Sequence, residues 1–466
     1  KPLAQASVQP PRSLHRRVSS STAMLRAVAL AAFGVAAVQG EDLWAVLVAG
    51  SNGFYNYRHQ ADVCHAYSLL IKRGFEANKI ITMIYDDVAN SAANPIKGKL
   101  YNYPWKTMEE AVDVYAGCKI DYSGEQVTPD RFVAVLSGDA ETAGGKVLGS
   151  KADDHVFVNF VDHGGVGLIA FPDGQKVLHS KKLVSTLEAM HKKGMYKQLM
   201  FYLETCESGS IFEGLLPIDL PVYALTAANA EESSWGTYCG SDATVGGTSI
   251  QSCLGDLFSV NWMMDTESAG SSKETLLQQF SQVKQLTNKS HVMQYGQVSS
   301  FMKEDTSDFE GPSGTVLSPA AGLSTSVPQS SVDSRDIKLD YLYRKYLSSG
   351  DAAAAQALKE EIQARQSVQK LGASIAARVL GGDAAEGAKL LGARLPGAFA
   401  WTAPMASCHE SVVGAFGERC GWSEGRLSLS KVLYLLCDRT SGDASPVLKA
   451  IDAACEARSE GEQIVV

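Results

Sequence analysis

The feature that most restricts the fold is an alternation of short apolar runs with helical stretches between residues 43 and 228. Helical stretches such as Gln60–Lys72 and Ser180–Lys192 separate several of the runs. This order is typical of an α/β domain with a largely parallel sheet flanked by helices, which binds ligands beyond the carboxyl ends of its strands. The runs predict buried strands at Leu43–Ala49, Ile80–Tyr85, Phe132–Leu136, Val156–Val161, Leu199–Leu203 and Val222–Thr226.

The character of the chain changes after residue 303. Residues 304–334 include Pro312, Pro319 and Pro328, with many Ser and Thr and few large apolar side chains. Such composition predicts an exposed linker. The stretches Ile337–Leu347 and Ala352–Leu380 then show helical spacing. We therefore predict a main α/β domain over residues 41–303, a linker over 304–336 and a separate all-helical domain over 337–466.

Residues 1–40 are predicted to form a leader with a signal peptide at about residues 24–40. Arg26 precedes an apolar run from Ala27 to Val38, and small residues end at Gly40. Positive charge, a short apolar core and a small-residue exit are typical of export signals, and the run is short for a membrane span. A buried helix is the alternative. We interpret Met24 as the natural start, and no later segment is apolar enough for an anchor.

Charge and cysteine content narrow the class of protein. The 466-residue chain has a formal charge of -9, so it lacks the basic field of a nucleic-acid binder. Export implies an oxidising compartment, where an odd count of nine cysteines leaves at least one thiol free. Cys239 and Cys253 bracket a loop that a disulfide would close. The remaining cysteines are Cys408, Cys420, Cys437 and Cys455 in the last quarter, and Cys64, Cys118 and Cys206 before it.

A predicted strand leads into Asp162 and His163, followed by Gly164 and Gly165. The glycines let the backbone approach a ligand closely, and a histidine at a strand end is well placed to act as a general base. A purely structural histidine is the alternative at this position.

A second predicted strand leads into Glu204 and Cys206, followed by polar and small residues. A thiol beyond a strand end, near a histidine, has its thiolate favoured. One helical crossover separates the two strand ends, and neighbouring strands lie about 5 Å apart. The sequence therefore predicts a nucleophilic pair of Cys206 and His163, with the backbone N–H groups of Gly164 and Cys206 as an oxyanion hole.

The loop after the first strand carries Asn56, Arg58 and His59. Asn56 is placed to orient His163, as a third group orients the base in other triads. Arg58 and His59 are placed to recognise a polar or acidic substrate group. The alternative is that these side chains only cap and solvate the loop.

These motifs together resemble the legumains, also called asparaginyl endopeptidases or vacuolar processing enzymes, and the plant-type enzymes are the most similar. The similarity covers nearly all of residues 41–303 and continues more loosely into the helical part. The matching segments are Val46–Asp62, Asp162–Gly165, Glu204–Ser210, Asn229–Tyr238, Leu254–Trp262 and Ser290–Tyr295.

The resemblance implies a caspase-like fold and hydrolysis of peptide bonds after Asn, and after Asp at lower pH, through a Cys–His acyl-enzyme. It implies Cys206 and His163 as the catalytic pair and Asn56 as the residue that orients His163. An amide needs both donors and acceptors, and an Asp substrate is repelled by carboxylates unless protons are added. Asp162 matches a family position without an assigned role. The implied Asn pocket consists of Arg58, His59, Glu204 and Asp256, and the substrate-binding cleft that it belongs to is also lined by Ser233 and Ser234.

For the C-terminal part, the resemblance implies a death-domain-like prodomain that covers the active site of a zymogen and is removed in acid. It implies the disulfides Cys408–Cys437 and Cys420–Cys455, with Cys64 and Cys118 reduced or unassigned. The chain has no Asn after Asn288, so activation is expected after an Asp or by another protease. The candidate cleavage sites in the linker are Asp305, Asp308, Asp333 and Asp336.

The implied partners are protein substrates with Asn or Asp at the cleavage site and the chain's own prodomain, with a zymogen dimer as a candidate assembly. No cofactor, metal, nucleic acid or membrane anchor is implied. The implied location is the secretory pathway and an acidic vacuole- or lysosome-like compartment.

Three other functions are open to the same motifs. A peptide ligase or transamidase would use the same acyl-enzyme, with Leu257, the Gly246–Gly247 loop and residues near Asn229 as candidate determinants. A GPI-anchor transamidase subunit shares the His-Gly and Cys pattern but usually carries a C-terminal membrane segment. A non-enzymatic binding protein on this scaffold would have lost the pair, whereas both residues are present.

Overall fold

The computed structural model describes residues 41–269, 273–312, 330–382, 384–395, 399 and 401–459. The predicted leader and signal peptide, residues 1–40, lie outside the described residues, as does the middle of the predicted linker, residues 313–329. From residue 41 onward, the described residues belong to one compact unit. Within the described ranges, no helix is both long and apolar enough to cross a membrane.

The strands and helices follow one another along the whole described chain. The strands are β1 Leu43–Ala49, β2 Ile80–Ile84, β3 His155–Val161, β4 Gly164–Gly165, β5 Leu168–Ala170, β6 Val177–His179, β7 Gln198–Glu204, β8 Val222–Thr226, β9 Trp235–Thr237, β10 Thr244–Val245, β11 Thr248–Ser249, β12 Gly255–Asp256, β13 Met293–Gly296 and β14 Val332–Asp333. The helices are α1 Tyr57–Lys72, α2 Pro129–Leu136, α3 Ala140–Ala143, α4 Ser180–Lys192, α5 Leu257–Ala269, α6 Leu276–Leu286, α7 Val298–Phe301, α8 Ser307–Glu310, α9 Ile337–Ser349, α10 Ala352–Leu380, α11 Ala384–Leu391, α12 Ala403–Cys420, α13 Leu429–Arg439 and α14 Ser445–Ser459.

The central sheet of the described chain has six strands in the order β13-β8-β7-β3-β1-β2. All of its pairings are parallel except that of β13 with β8. The inner strands are mostly apolar and almost entirely buried because both faces of the sheet are covered. On one face Phe157 and Tyr202 pack with Trp262 of α5, and on the other Phe160 packs with Phe132 of α2. The predicted class, a mostly parallel sheet flanked by helices, is confirmed.

The predicted strand at Phe132–Leu136 is wrong, because these residues form the last part of α2. Thr128 caps this helix by accepting a hydrogen bond from Arg131 N at 3.3 Å, and Pro129 occupies the first turn. A Thr-Pro start followed by acidic Asp130 is a helix-start signal. A five-residue apolar run alone does not distinguish a buried strand from one face of a buried helix.

The helices of the C-terminal region form a core of their own, which also includes Val166, Leu168 and Ala170 from the β4–β5 hairpin. The prediction of a helical C-terminal part is confirmed, and its death-domain-like character stays a prediction. The predicted domain boundaries also stay predictions. Residues just after 303 pack into the main domain, where Phe309 belongs to the core and Glu310 is fully buried.

Four disulfides connect the described cysteines. Cys64 and Cys118 are bonded to each other across 54 residues of sequence, so the expectation that they stay reduced or unassigned is wrong. A helix cysteine and a loop cysteine give no sequence signal for pairing, because their proximity depends on how the loop packs against α1. The other pairs are those that the sequence suggested: Cys239–Cys253, Cys408–Cys437 and Cys420–Cys455.

Candidate active site

The ends of β3 and β7 bring the two predicted catalytic residues to the same edge of the sheet. Val161 lies opposite Glu204 in the register, and Asp162 N donates to the Glu204 carbonyl at 3.0 Å. His163 and Cys206 each follow two residues beyond this pair. The parallel register therefore places the imidazole and the thiol on neighbouring strand ends, as predicted from the sequence.

Gly164 lies directly against the peptide of Cys206. A Cβ atom at Gly164 would stand 2.7 Å from the Cys206 carbonyl oxygen and 2.7 Å from Thr205 Oγ1, which is closer than atoms can approach. A glycine is therefore required for the two backbones to meet here. This contact brings together the two residues whose N–H groups are predicted to form the oxyanion hole.

His163 is held by Asn56, whose Oδ1 lies 2.8 Å from His163 Nε2. Asn56 Nδ2 donates to the Asn52 carbonyl at 3.0 Å, which fixes the amide so that its oxygen faces the ring. An acceptor at Nε2 assigns the proton to that nitrogen and leaves Nδ1 as the basic one. Burial, together with the charges of Arg58 and Arg335, holds the pKa of His163 well below its usual range, so the ring is neutral.

Cys206 is the free cysteine of the described chain, and its side chain is buried. Its Sγ lies 3.8 Å from Ser234 Oγ. Burial raises the pKa of the Cys206 thiol to about 11, with the Arg335 charge opposing this rise and Glu207 adding to it. In this arrangement the thiol is protonated.

Next to this pair lies a buried polar pocket. Arg58 Nε donates to Asp256 Oδ1 at 2.8 Å, and both residues are almost fully buried. Ser259 donates twice to Glu204 Oε2, from its N–H at 2.9 Å and its hydroxyl at 3.1 Å. His59 Nδ1 lies 2.5 Å from Ser51 Oγ. The structure thus brings Arg58, His59, Glu204 and Asp256 together as predicted.

Four atoms of this pocket have no hydrogen-bond partner among the described residues. Two are nitrogens, Arg58 Nη2 and His59 Nε2, and two are carboxylate oxygens, Glu204 Oε1 and Asp256 Oδ2. His59 Nε2 and Asp256 Oδ2 are 3.4 Å apart without forming a hydrogen bond. Buried polar groups are nearly always paired, so an unpaired set of donors and acceptors indicates a place for a polar ligand.

The cleft over Cys206 is occupied by the chain itself. Val332 and Asp333 form β14 and pair antiparallel with Gly236 and Trp235 of β9. The next residue, Ser334, donates its N–H to the Ser234 carbonyl at 3.0 Å and accepts at its hydroxyl from Ser234 Oγ at 3.1 Å. Of the two predicted cleft serines, Ser234 therefore makes these contacts, while Ser233 is half-buried beside it.

Several known proteins are similar to this chain. Residues 43–312 match the model of the Peptidase C13 family. The chain belongs to the peptidase C13 family. It is 40% identical over 396 residues, 81% of this chain and 79% of the other, to the vacuolar-processing enzyme beta-isozyme of Arabidopsis thaliana. It is 45% identical over 309 residues, 66% of this chain and 69% of the other, to the hemoglobinase of Schistosoma japonicum. The crystal structure of Caspase-1 from Spodoptera frugiperda matches with a TM-score of 0.33 and 10% identity, over 58% of this chain and 90% of that chain.

Membership of the peptidase C13 family makes this chain a legumain-type cysteine endopeptidase. The relatives include a second plant protein, the vacuolar-processing enzyme of Glycine max, which is 37% identical over 90% of this chain and 86% of its own length. The similarity of these two plant relatives extends beyond the 43–312 match into the C-terminal helical part.

Sequence reasoning missed two side chains near the candidate active site. Glu424, between α12 and α13, accepts from Asn56 Nδ2 at 2.8 Å and from the Tyr55 hydroxyl at 2.9 Å. Asp62 lies behind the pocket and accepts from Asp256 N at 3.0 Å and from Asn102 Nδ2 at 2.7 Å. No sequence signal points to Glu424. Asp62 could have been found from the sequence, because it is a carboxylate in α1 that follows Arg58 and His59.

The candidate active site also contains three side chains whose potential ligand atoms lie close enough to one another to hold a metal ion. Ligand atoms of His59, Asp162 and His163 lie within 4.8 Å of one another. Two of the ring nitrogens already have partners, because His59 Nδ1 contacts Ser51 and His163 Nε2 contacts Asn56.

Proposed function

We propose that this chain is an asparaginyl endopeptidase, which cleaves peptide bonds after Asn, and after Asp at acidic pH. The observation that carries the proposal is the buried pocket with two unpaired donors and two unpaired acceptors. An Asn side chain offers one acceptor oxygen and an NH2 group with two donors. Its oxygen would accept from Arg58 Nη2 or His59 Nε2, and its NH2 would donate to Glu204 Oε1 and Asp256 Oδ2.

The same pocket explains an acid requirement for Asp. An ionised Asp side chain has acceptors only and would face Glu204 and Asp256. Burial raises the pKa of Glu204, and the nearby Asp256 charge raises it further. Adding protons to this group of carboxyls removes the repulsion and supplies a donor. Cleavage after Asp therefore increases as the pH falls.

In the proposed mechanism, His163 Nδ1 accepts the proton of Cys206 and the thiolate attacks the substrate carbonyl carbon. The N–H groups of Gly164 and Cys206 stabilise the oxyanion. His163 then gives its proton to the leaving amine, and water hydrolyses the thioester with His163 again acting as base. Asn56 holds the ring in the required orientation through its 2.8 Å contact with Nε2.

The chain is further proposed to be made as a zymogen. β14 and Ser334 lie across the cleft, and Glu424 contacts Asn56, so substrate cannot enter the arrangement described. Among the candidate activation sites, Asp305 and Asp308 are packed in the main domain, since Asp305 pairs with Thr275 and the Asp308 carbonyl accepts from His155. Asp333 is the second residue of β14 and the exposed Asp336 lies two residues beyond Ser334, so we propose cleavage after one of these two.

The names of the relatives support a location for this activity. Two of the plant relatives are vacuolar-processing enzymes. An acidic vacuole- or lysosome-like compartment reached through the secretory pathway would supply the pH at which the zymogen opens. This part of the proposal is tested by following a tagged full-length chain in cells.

The test of the activity uses acid-activated protein and matched peptides that differ only in Asn, Asp or Gln before the cleaved bond. We expect rapid cleavage of the Asn peptide, cleavage of the Asp peptide only at low pH, and little cleavage of the Gln peptide. The Cys206→Ala variant should lose cleavage and keep its melting temperature. Equal cleavage of Asn and Gln peptides would overturn the proposal. A cyclic product from a peptide with a free N-terminus would instead show the ligase alternative.

A further inference from the structure

We propose that Glu207 makes this enzyme prefer a basic residue immediately after the cleaved bond. The inference rests on the proposed cleavage at Cys206 and adds a second determinant of substrate choice. Its basis is how the chain's own segment lies in the cleft, with Arg335 in contact with Glu207.

The first step is the register of the covering segment. Val332 and Asp333 pair with Gly236 and Trp235, and the pairing continues with the Ser334 N–H donating to the Ser234 carbonyl at 3.0 Å. Such added strands are a general way for proteases and other domains to hold extended peptides. Ser234 Oγ connects the covering segment to the thiol, since it lies 3.1 Å from Ser334 Oγ and 3.8 Å from Cys206 Sγ.

Ser334 thus occupies the position of the substrate residue beside the Cys206 thiol. The peptide bond from Ser334 to Arg335 corresponds to the bond that would be cleaved in a substrate. The Ser334 hydroxyl contacts Ser234, and the four pocket atoms keep no hydrogen-bond partner among the described residues. Arg335 then occupies the position of the first residue on the leaving side.

The second step is the site that receives Arg335. The Arg335 guanidinium contacts the Glu207 carboxylate and donates to the Gly164 carbonyl at 3.3 Å. Carboxylate and carbonyl acceptors together match the donors of a guanidinium, and less closely those of an ammonium group. A serine or an acidic residue would leave these acceptors unsatisfied.

The third step is that Glu207 is fixed and buried. It is 5% exposed, its N–H donates to the Glu232 carbonyl at 2.7 Å, and its backbone has a φ of 47°. Its carbonyl also accepts from Ser210 Oγ at 2.6 Å. A buried carboxylate that loses its cation is costly.

The cations that act on Glu207 are Arg335, within the predicted linker, and Lys431 of α13, and both belong to the part of the chain from residue 332 onward. When that part leaves the cleft, the carboxylate loses them. A substrate with Arg or Lys in this position would restore a partner, whereas a substrate with Glu would add a like charge.

The test compares internally quenched peptides that all carry Asn before the cleaved bond and have Arg, Lys, Ala or Glu after it. With acid-activated enzyme at mildly acidic pH, we expect kcat/KM to fall in the order Arg, Lys, Ala, Glu, with Arg and Glu differing on the order of 10- to 100-fold. Glu207→Gln should bring the Arg-to-Glu ratio close to one. The matched control is Glu213→Gln on the same loop, and it should keep the ratio, because among the described residues its carboxylate accepts only from the Tyr295 hydroxyl at 3.4 Å.

Equal kcat/KM values for the four peptides with wild-type enzyme would overturn the inference and leave the Asn preference standing. A ratio that survives Glu207→Gln would assign the preference to another group and would also overturn it. If none of the Asn peptides is cleaved, the proposed function itself fails. The wild-type series decides the matter even if the Glu207→Gln variant does not fold.

Discussion

Asn56 contacts His163 with one end of its side-chain amide, at 2.8 Å from Nε2, and contacts Glu424 with the other end, also at 2.8 Å. The same amide therefore orients the proposed base and connects it to the C-terminal helical part. Removal of that part would free Asn56 Nδ2 from Glu424 while leaving its hydrogen bond to the Asn52 carbonyl in place.

The first prediction concerns this amide. Asn56→Ala should lower kcat of the activated enzyme on an Asn peptide on the order of 10²-fold, because the imidazole loses the acceptor that fixes its tautomer and orientation. KM should change little, since Asn56 is not proposed to touch the Asn side chain. Steady-state kinetics measure both. Asn52→Ala is the control, because its side chain contacts only Asp173 in the described chain. An unchanged kcat in Asn56→Ala would contradict the orienting role.

The second prediction concerns the pocket. Glu204→Gln should keep an acceptor toward the two Ser259 donors and turn an NH2 group toward the substrate, where Glu204 Oε1 now offers an acceptor. We expect kcat/KM for the Asn peptide to fall about 100-fold and the Asp-to-Asn ratio at neutral pH to rise, because an ionised Asp then gains a donor. Initial rates with the paired peptides test this. A parallel fall for both peptides would show that Glu204 only supports the fold.

The third prediction concerns pH and the contact between the main domain and the C-terminal helices. His179 Nε2 lies 3.1 Å from His409 Nδ1, and both rings are buried. Burial lowers the pKa of His179 to about 4 and, with the His179 charge, that of His409 to about 3, from 6.5. The unfolded chain takes up protons at these sites below about pH 6.5, whereas the folded chain does not. Stability contributed by the neutral pair is therefore full above pH 6.5 and lost as the pH falls toward 4 and 3.

Each buried histidine contributes a loss of up to about 1.4 kcal/mol per pH unit in this window. The buried carboxyls Glu207 and Glu424 act in the opposite sense, because their pKa values are raised by burial. A comparison of Cys206→Ala protein with and without His409→Gln isolates the contribution of His409 to the pH dependence of stability. Gln can still donate to the Ser430 carbonyl, as His409 Nε2 does. Urea unfolding from pH 7 to 4 should show a shallower loss of stability with His409→Gln. Identical pH slopes would rule out the histidine pair as an acid-sensitive contact.

The fourth prediction concerns the Cys64–Cys118 disulfide, which spans 54 residues. In a Cys206→Ala background, replacing both cysteines with Ala should lower the free energy of unfolding by about 2–4 kcal/mol, because the unfolded chain regains the freedom of a long loop. Urea unfolding measures the change, and intact mass with thiol labelling checks the pairing. Labelling of Cys64 and Cys118 in native protein without reductant would contradict the assignment.

The strand ends of the site were predictable because the runs before His163 and Cys206 are mostly apolar, with Asn159 as the one polar residue of Val156–Val161, and polar residues follow both runs. Buried parallel strands need such runs, and the topology of an α/β sheet then brings their ends together. The short run at Phe132 was misassigned because five apolar residues in a row fit either a strand or a short helix. The Thr-Pro cap immediately before it was the better guide.

The covering contacts were not predictable, because they join residues far apart in the sequence. Glu424 is 368 positions from Asn56, and Arg335 is 128 positions from Glu207. Nothing in the local pattern around Glu424 distinguishes it from a solvated loop glutamate. The packing of the C-terminal helices on the β4–β5 hairpin and of Glu424 against Gly174 brings it to the active site.

The most direct test of the central claim is a cleavage map of an unfolded protein of known sequence, obtained by mass spectrometry after digestion with the acid-activated chain. The account predicts new C-termini at Asn, with Asp added only at the most acidic pH, and no cleavage by Cys206→Ala protein. New C-termini spread over residues other than Asn and Asp, or the same map from Cys206→Ala protein, would contradict it.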